Sequence, residues 1–193
     1  EETGRTKGVN DITWVIDPID GTRAFSQHKP EWGVLVSRIV KNDISTGIVI
    51  CPVQDIYTAV HNNELITSSF DYEQIEITNK QDNVISCESN LELLDNFKND
   101  NFLFRNRNQF CKDIISIGFS TFDAVITTAP FAHDRLAYEP IAKYIGGTVS
   151  AIDGKQIPIF EEDVVTLICK SPEVKEVVIS KLKSYDNLQE AAS

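Results

Sequence analysis

Short apolar runs broken by turn residues fill the first half of the chain. Residues 12–16 (Ile-Thr-Trp-Val-Ile) read as a buried strand rich in β-branched and aromatic side chains. The Gly-Thr-Arg-Ala-Phe run after Asp20 reads as a helical turn. Residues 32–40 and 44–51 predict two strands joined at Lys41-Asn42-Asp43, and 56–61 and 75–78 continue the β pattern. A short strand and a loop are expected within 62–72.

The pattern changes near Val84. Strands are expected at 84–89, 102–104, 122–127, 148–152 and 164–169, and helices at 91–98 and 109–117. A helix starts at Asp134, turns Leu136, Ile141, Ala142 and Ile145 inward, and ends at Gly146-Gly147. The last helix has Ser171 as N-cap, Pro172 at its first position and Glu173 in its first turn. Val174, Val177, Val178 and Leu182 form its expected buried stripe, and its tail is expected to fray after Tyr185. This alternation predicts an α+β or layered α/β fold. The polar run 79–83 divides a β-rich part (1–80) from an α/β part (81–193), within what is expected to be one compact unit.

With 193 residues and 41% hydrophobic composition, the chain can bury a substantial core. A formal net charge of −11 argues against nonspecific nucleic-acid binding. No stretch approaches the length of a membrane-spanning helix. Cys51, Cys87, Cys111 and Cys169 lie in apolar surroundings without a C-x-x-C pair, as core thiols of a reduced cytoplasmic protein would. Methionine is absent and the chain opens on Glu1-Glu2-Thr3-Gly4, so an N-terminally truncated sequence is expected.

The chemistry concentrates in Asp17-Pro18-Ile19-Asp20-Gly21-Thr22. Two carboxylates at the end of an apolar strand need a partner, and a hard cation such as Mg²⁺ is the simplest. Pro18 lacks an N–H, so the chain must leave the strand ladder there. The second carboxylate can then turn back toward the first. Asp17 can bridge two cations, Asp20 can bind one of them, and the Ile19 carbonyl is a further oxygen ligand. The Gly21 and Thr22 N–H groups offer an anion site, and the Thr22 hydroxyl can orient a water. Without the flanking residues, an Asx-turn with solvated aspartates would be the simpler account.

Two other readings fail on spacing. Phosphatases that use a covalent aspartate carry D-x-D-G-T, with one residue between the carboxylates. An EF-hand loop needs Glu at its twelfth position, which here is His28.

The Trp14-Val15-Ile16-Asp17-Pro18-Ile19-Asp20-Gly21-Thr22 run, with Glu1-Glu2 before it and Asp134 thirteen residues before Gly147, resembles the inositol monophosphatase-like family. The Arg23-Ala24-Phe25 continuation is most similar to its histidinol-phosphatase-like branch. The resemblance implies a layered αβαβα sugar-phosphatase sandwich, here lacking its N-terminal helices, and a homodimer when full length. It implies Mg²⁺ dependence through two or three ions, inhibition by Li⁺, and hydrolysis of a small phosphate monoester by an activated water. Histidinol phosphate, inositol phosphate or a similar sugar or polyol phosphate is the expected substrate. Carried onto this chain, Glu1, Asp17, Ile19, Asp20 and Asp134 hold metal, and Glu1 and Thr22 position the water. Asp20, Gly21, Thr22, Arg23, Asn108 and Arg135 are the expected phosphate or substrate contacts.

Departures from the family pattern bear on the substrate. His133 stands where the family carries Trp, Thr127 stands where a substrate carboxylate is expected, and Asn108-Gln109 replaces a glycine-hydroxyl segment. One alternative is therefore a degenerate member that binds a phosphorylated ligand or serves as a subunit. Another is a 3′-phosphonucleotide phosphatase, whose branch reads D-P-L-D-G-T-K.

Several residues have plainer readings. Asp134 alone would be a helix N-cap, and Arg135 is as well suited to a surface carboxylate as to phosphate. His133 is expected on the substrate side or in packing, and His28 and His61 in solvated loops. Trp14 and Trp32 are expected in the core, and Glu161-Glu162-Asp163 in a solvated loop.

Overall fold

The structure is a computed structural model, and it describes residues 11–67, 83–87, 102–106, 123–127 and 131–192. The first sheet is an antiparallel meander in the order β1-β2-β3-β4-β5. Its strands are β1 (Ile12–Asp20), β2 (Gly33–Val40), β3 (Asp43–Cys51), β4 (Ile56–His61) and β5 (Glu64–Thr67). Helix α1 (Thr22–Ser26) follows β1 directly.

The second sheet contains β6 (Asn83–Cys87), β7 (Phe102–Asn106), β8 (Ala124–Thr127), β9 (Thr148–Ala151) and β10 (Thr166–Cys169). Its order is β7-β6-β8-β10-β9. β6 runs parallel to β7 and β8, whereas β10 runs antiparallel to β8 and β9. Helices α2 (His133–Leu136) and α3 (Tyr138–Tyr144) lie between the sheets, and α4 (Pro172–Ala192) covers the far face of the second. The described residues thus stack as sheet, helix pair, sheet and helix.

Strand alternation builds this stacking. Leu35, Val49, Cys51, Ile56 and Val60 of the first sheet meet Tyr138, Ile141 and Ala142 of α3. Val125 and Ile168 reach the same cluster from the second sheet. The opposite-facing residues Ala124, Ile126, Leu167 and Cys169 pack on Val178, Ile179 and Leu182 of α4. Gly47 allows α3 to approach this closely, because a Cβ there would collide with the Ala137 carbonyl. Gly146, at φ +81°, closes the turn after α3.

Several expectations are corrected. Strand β1 continues to Asp20, and among the described residues it stands at the edge of its sheet with one face open. Trp14 and Ile16 are more than half exposed on that face, and the Arg38 guanidinium lies 6.0 Å from the Trp14 ring. Trp14 is therefore not a core residue, while Trp32 is half-buried and meets Phe25 edge-on at 5.0 Å. On α4, Val177 is exposed and Ile179 is buried in its place, because the inward row steps through 174, 178 and 182 with 179 beside it. The Ser171 hydroxyl does cap this helix, accepting the Val174 N–H at 3.3 Å. The helix runs on to Ala192, past the point where fraying was expected. His61 closes strand β4 rather than lying in a loop, with Nδ1 2.7 Å from the Thr46 hydroxyl. The expected elements at 75–78, 91–98 and 109–117 lie outside the described residues.

Candidate metal centre

The site begins with a break in strand pairing. Asp17 stands opposite Leu35 and Asp20 opposite Gly33, with a register shift between them. Pro18 and Ile19 together therefore span the place of one residue on β2, which is a β-bulge. In a regular strand, residues three apart face opposite sides. The bulge reverses that parity, so Asp17 and Asp20 are both buried, at 7% and 9% exposure, toward the helix pair. The proline expected to take the chain off the ladder thus does so for one step only, and pairing resumes at Asp20.

Local hydrogen bonds hold the bulge. Asp17 Oδ1 accepts the Ile19 N–H at 3.0 Å. The Thr22 hydroxyl donates to the Ile19 carbonyl at 3.1 Å. Gly21 adopts φ +84°, and a Cβ there would stand 2.8 Å from the Glu31 carbonyl oxygen. Only glycine meets both conditions cheaply.

Helix α2 brings the third carboxylate from 117 residues downstream of Asp17. Asp134 is not the N-cap; Ala132 holds that position, and Asp134 Oδ2 reaches back to accept the Phe131 N–H at 3.1 Å. One ligand-type atom each from Asp17, His133 and Asp134 lies within 4.8 Å of the others. His133 Nε2 is 3.4 Å from Asp134 Oδ1, and its ring stacks on Phe131 at 5.1 Å. Below them, the buried Tyr138 hydroxyl donates to Asp20 Oδ2 at 3.3 Å.

The donor set fits a divalent cation. Carboxylates crowded into a buried space repel one another, and a cation relieves that repulsion. Oxygen donors suit Mg²⁺. Asp17, His133 and Asp134 are the residues whose donor atoms the structure gathers, and Asp20 is buried on the same strand with the Tyr138 hydroxyl on its Oδ2.

Other expected contacts fall elsewhere. Arg135 does not reach the site. It is buried, and its Nη2 donates to the carbonyls of Pro158, Ile159 and Glu161 at 2.7, 2.8 and 3.1 Å. Successive helical residues are turned by about 100°, which directs Arg135 away from the bulge that Asp134 faces. Burial pushes its guanidinium below the usual pKa, and Glu139 and Glu161 oppose that shift. Arg23 is exposed on α1 beside Gly21 and Thr22. Glu1 and Asn108 lie outside the described residues.

Tyr138 was missed in the sequence, and His133, expected on the substrate side or in packing, has a ring nitrogen grouped with the Asp17 and Asp134 carboxylates. Both had a signal: Tyr138 is four residues after Asp134, a spacing that shares a helix face, and His133 adjoins the expected ligand.

A sequence profile of the inositol monophosphatase family matches residues 1–187. The chain belongs to the inositol monophosphatase family. Among curated relatives, the Nus factor SuhB of Pasteurella multocida is 22% identical over 204 residues, covering 95% of this chain and 72% of that protein. The Nus factor SuhB of Haemophilus influenzae is 42% identical over a stretch of 62 residues, 31% of this chain and 23% of that protein. The chain thus spans only part of these relatives. A solved IMPase/NADP phosphatase complexed with Mg²⁺ and phosphate superposes with a TM-score of 0.75 at 18% identity, covering 94% of this chain and 70% of that one. The layered fold is therefore that of the family.

Proposed function

We propose that this member of the inositol monophosphatase family is a Mg²⁺-dependent phosphomonoesterase acting on a small phosphorylated metabolite. Histidinol phosphate, inositol phosphate or a similar sugar or polyol phosphate is the substrate class. The observation that carries this reading is the gathering of Asp17 and Asp134, 117 residues apart in the chain, with Asp20 brought to the same side by the bulge. Family membership and the Mg²⁺- and phosphate-bound state of a similar structure support it.

The residues have distinct roles. Asp17, Asp20 and Asp134 bind cations, with the Ile19 carbonyl as a further oxygen. When bound, divalent cations supply positive charge to the phosphoryl group and acidify a water. The Thr22 hydroxyl directs its proton to the Ile19 carbonyl, a polarity that presents its oxygen to a water as an acceptor. Gly21, Thr22 and Arg23 flank the place for the phosphoryl group. Glu1 and Asn108 complete the ligand and substrate set by family resemblance. The same resemblance supplies two or three ions, Li⁺ inhibition and a homodimer, and the cysteine pattern suggests a cytoplasmic setting. Residues 1–80 and 81–193 act as one unit in this reading.

The test is release of phosphate by the full-length protein from histidinol phosphate, inositol phosphates and bisphosphorylated nucleotides, with and without Mg²⁺. Hydrolysis that requires Mg²⁺ and disappears in Asp17→Asn supports the mechanism. Metal-independent hydrolysis, or activity that survives Asp17→Asn, excludes it.

The Nus factor designation of the SuhB relatives favours a second reading, a noncatalytic protein that binds a phosphorylated ligand or serves as a subunit. Calorimetric binding of these esters by the intact protein without turnover would select it.

A further inference from the structure

We propose that His133 supplies a nitrogen ligand to the cation held by Asp17 and Asp134, shifting this centre's preference from Mg²⁺ toward divalent transition metals, for which Mn²⁺ serves as the probe. The inference rests on the metal-site reading above, and it adds a ligand that the carboxylate set does not contain.

Geometry is the first argument. The nearest donor atoms of Asp17, His133 and Asp134 already lie within 4.8 Å of one another. Metal–nitrogen and metal–oxygen bonds are about 2.0–2.2 Å, so two ligand atoms on one ion stand no more than about 4.4 Å apart. A side-chain adjustment of about half an ångström closes the gap.

The histidine is also braced. Its ring lies nearly parallel to Phe131, at an interplanar angle of 9°, while Nε2 faces Asp134 Oδ1. The Phe131 N–H fixes the other oxygen of the same carboxylate. One short segment therefore holds imidazole and carboxylate edge to edge, facing buried Asp17.

Chemistry sets the direction of the effect. Neutral imidazole offers a lone pair, whereas the indole expected at this position from the family pattern has only an N–H donor. Oxygen sets suit Mg²⁺, while imidazole raises affinity for transition metals. Replacing the indole by imidazole therefore converts packing into coordination. The competing account is an imidazolium paired with Asp134, which would oppose cation binding.

The experiment uses the untagged full chain loaded with Mn²⁺ and read by pulsed electron paramagnetic resonance for ¹⁴N coupling. Calorimetry measures Mn²⁺ and Mg²⁺ affinities in parallel. The wild type is expected to show nitrogen coupling. In His133→Phe, which keeps a ring against Phe131, the coupling should vanish and Mn²⁺ should bind about tenfold more weakly, while Mg²⁺ affinity holds. The double variant His28→Gln, His61→Gln leaves His133 as the one histidine in the chain, and it must retain the coupling. That variant decides the matter even where His133→Phe does not fold. Bound Mn²⁺ without nitrogen coupling in the wild type, or coupling lost in the double variant, overturns the inference and leaves the carboxylate site standing. Failure of the wild type to bind either ion overturns both.

Discussion

The Tyr138 hydroxyl donates to Asp20 Oδ2 at 3.3 Å in a fully buried setting, joining residues 118 positions apart. A carboxylate anchored in this way loses rotational freedom, which would favour the cation-binding role proposed for Asp20. Tyr138→Phe should keep the fold, cost about 1 kcal/mol of stability, and weaken Mg²⁺ binding about tenfold. Calorimetric titration together with thermal unfolding checks both parts. Unchanged Mg²⁺ affinity would mean that the phenol serves packing alone.

Thr22 acts through one hydroxyl in the proposed mechanism. Thr22→Ser preserves that group, and Thr22→Ala removes it. Phosphate release should fall about a hundredfold in the alanine variant and stay near wild type in the serine variant. Equal losses in both would point to the missing methyl group.

Arg135 makes the opposite prediction. Its guanidinium ties residues 158–161 to α2 through three carbonyls. Arg135→Met should lower stability by about 3 kcal/mol, measured by urea unfolding. Fully folded at low temperature, the variant should show an unchanged KM for the phosphate ester. A raised KM would restore the phosphate-contact reading.

Gly47 is a packing constraint with functional reach. A side chain there would strike the Ala137 carbonyl at the junction of α2 and α3. Gly47→Ala should destabilise the protein by about 3 kcal/mol and weaken metal binding, because Asp134 and Tyr138 flank that junction. Differential scanning fluorimetry with a Mg²⁺ titration tests the coupling. A variant as stable as wild type would require the sheet and the helix pair to separate freely.

Burial pushes the Cys169 thiol from about 9 up to about 12. The unfolded thiol therefore ionises first as pH rises. The protonated form favoured by folding contributes nothing below about pH 9, and its burial lowers stability progressively between about pH 9 and 12. The integrated loss is up to about 4 kcal/mol. Urea unfolding of wild type and Cys169→Ala across this range should show a steeper decline in the wild type. At pH 8, mass spectrometry should find Cys169 unmodified by thiol reagents until the protein unfolds.

Much of this was legible in the residue pattern. The meander of the first sheet follows from apolar alternation and turn residues, and the capping of α4 from Ser171-Pro172-Glu173. The metal-binding role proposed for Asp17 and Asp20 came from carboxylates at the end of an apolar strand. The exposure of Trp14 and Ile16 was not legible, because an edge strand with one open face and a buried strand share the same apolar composition. Arg135 was misassigned because adjacency in sequence is not adjacency on a helix. Tyr138 was overlooked because an apolar helix face makes its ring look like simple core, although its hydroxyl needs a partner.

The bulge at Pro18-Ile19 gives the spacing of the motif a mechanical meaning. Removing either residue would restore regular alternation and leave Asp17 and Asp20 with a single residue between them, a phase that the β1–β2 ladder could accept. The two intervening positions are thus a counting device: they set how many steps the backbone takes before the second carboxylate arrives, independently of what their side chains touch. A family built on this loop can exchange Ile19 for Leu at little cost, but it cannot change the count without changing how the whole entrance to α1 is aimed.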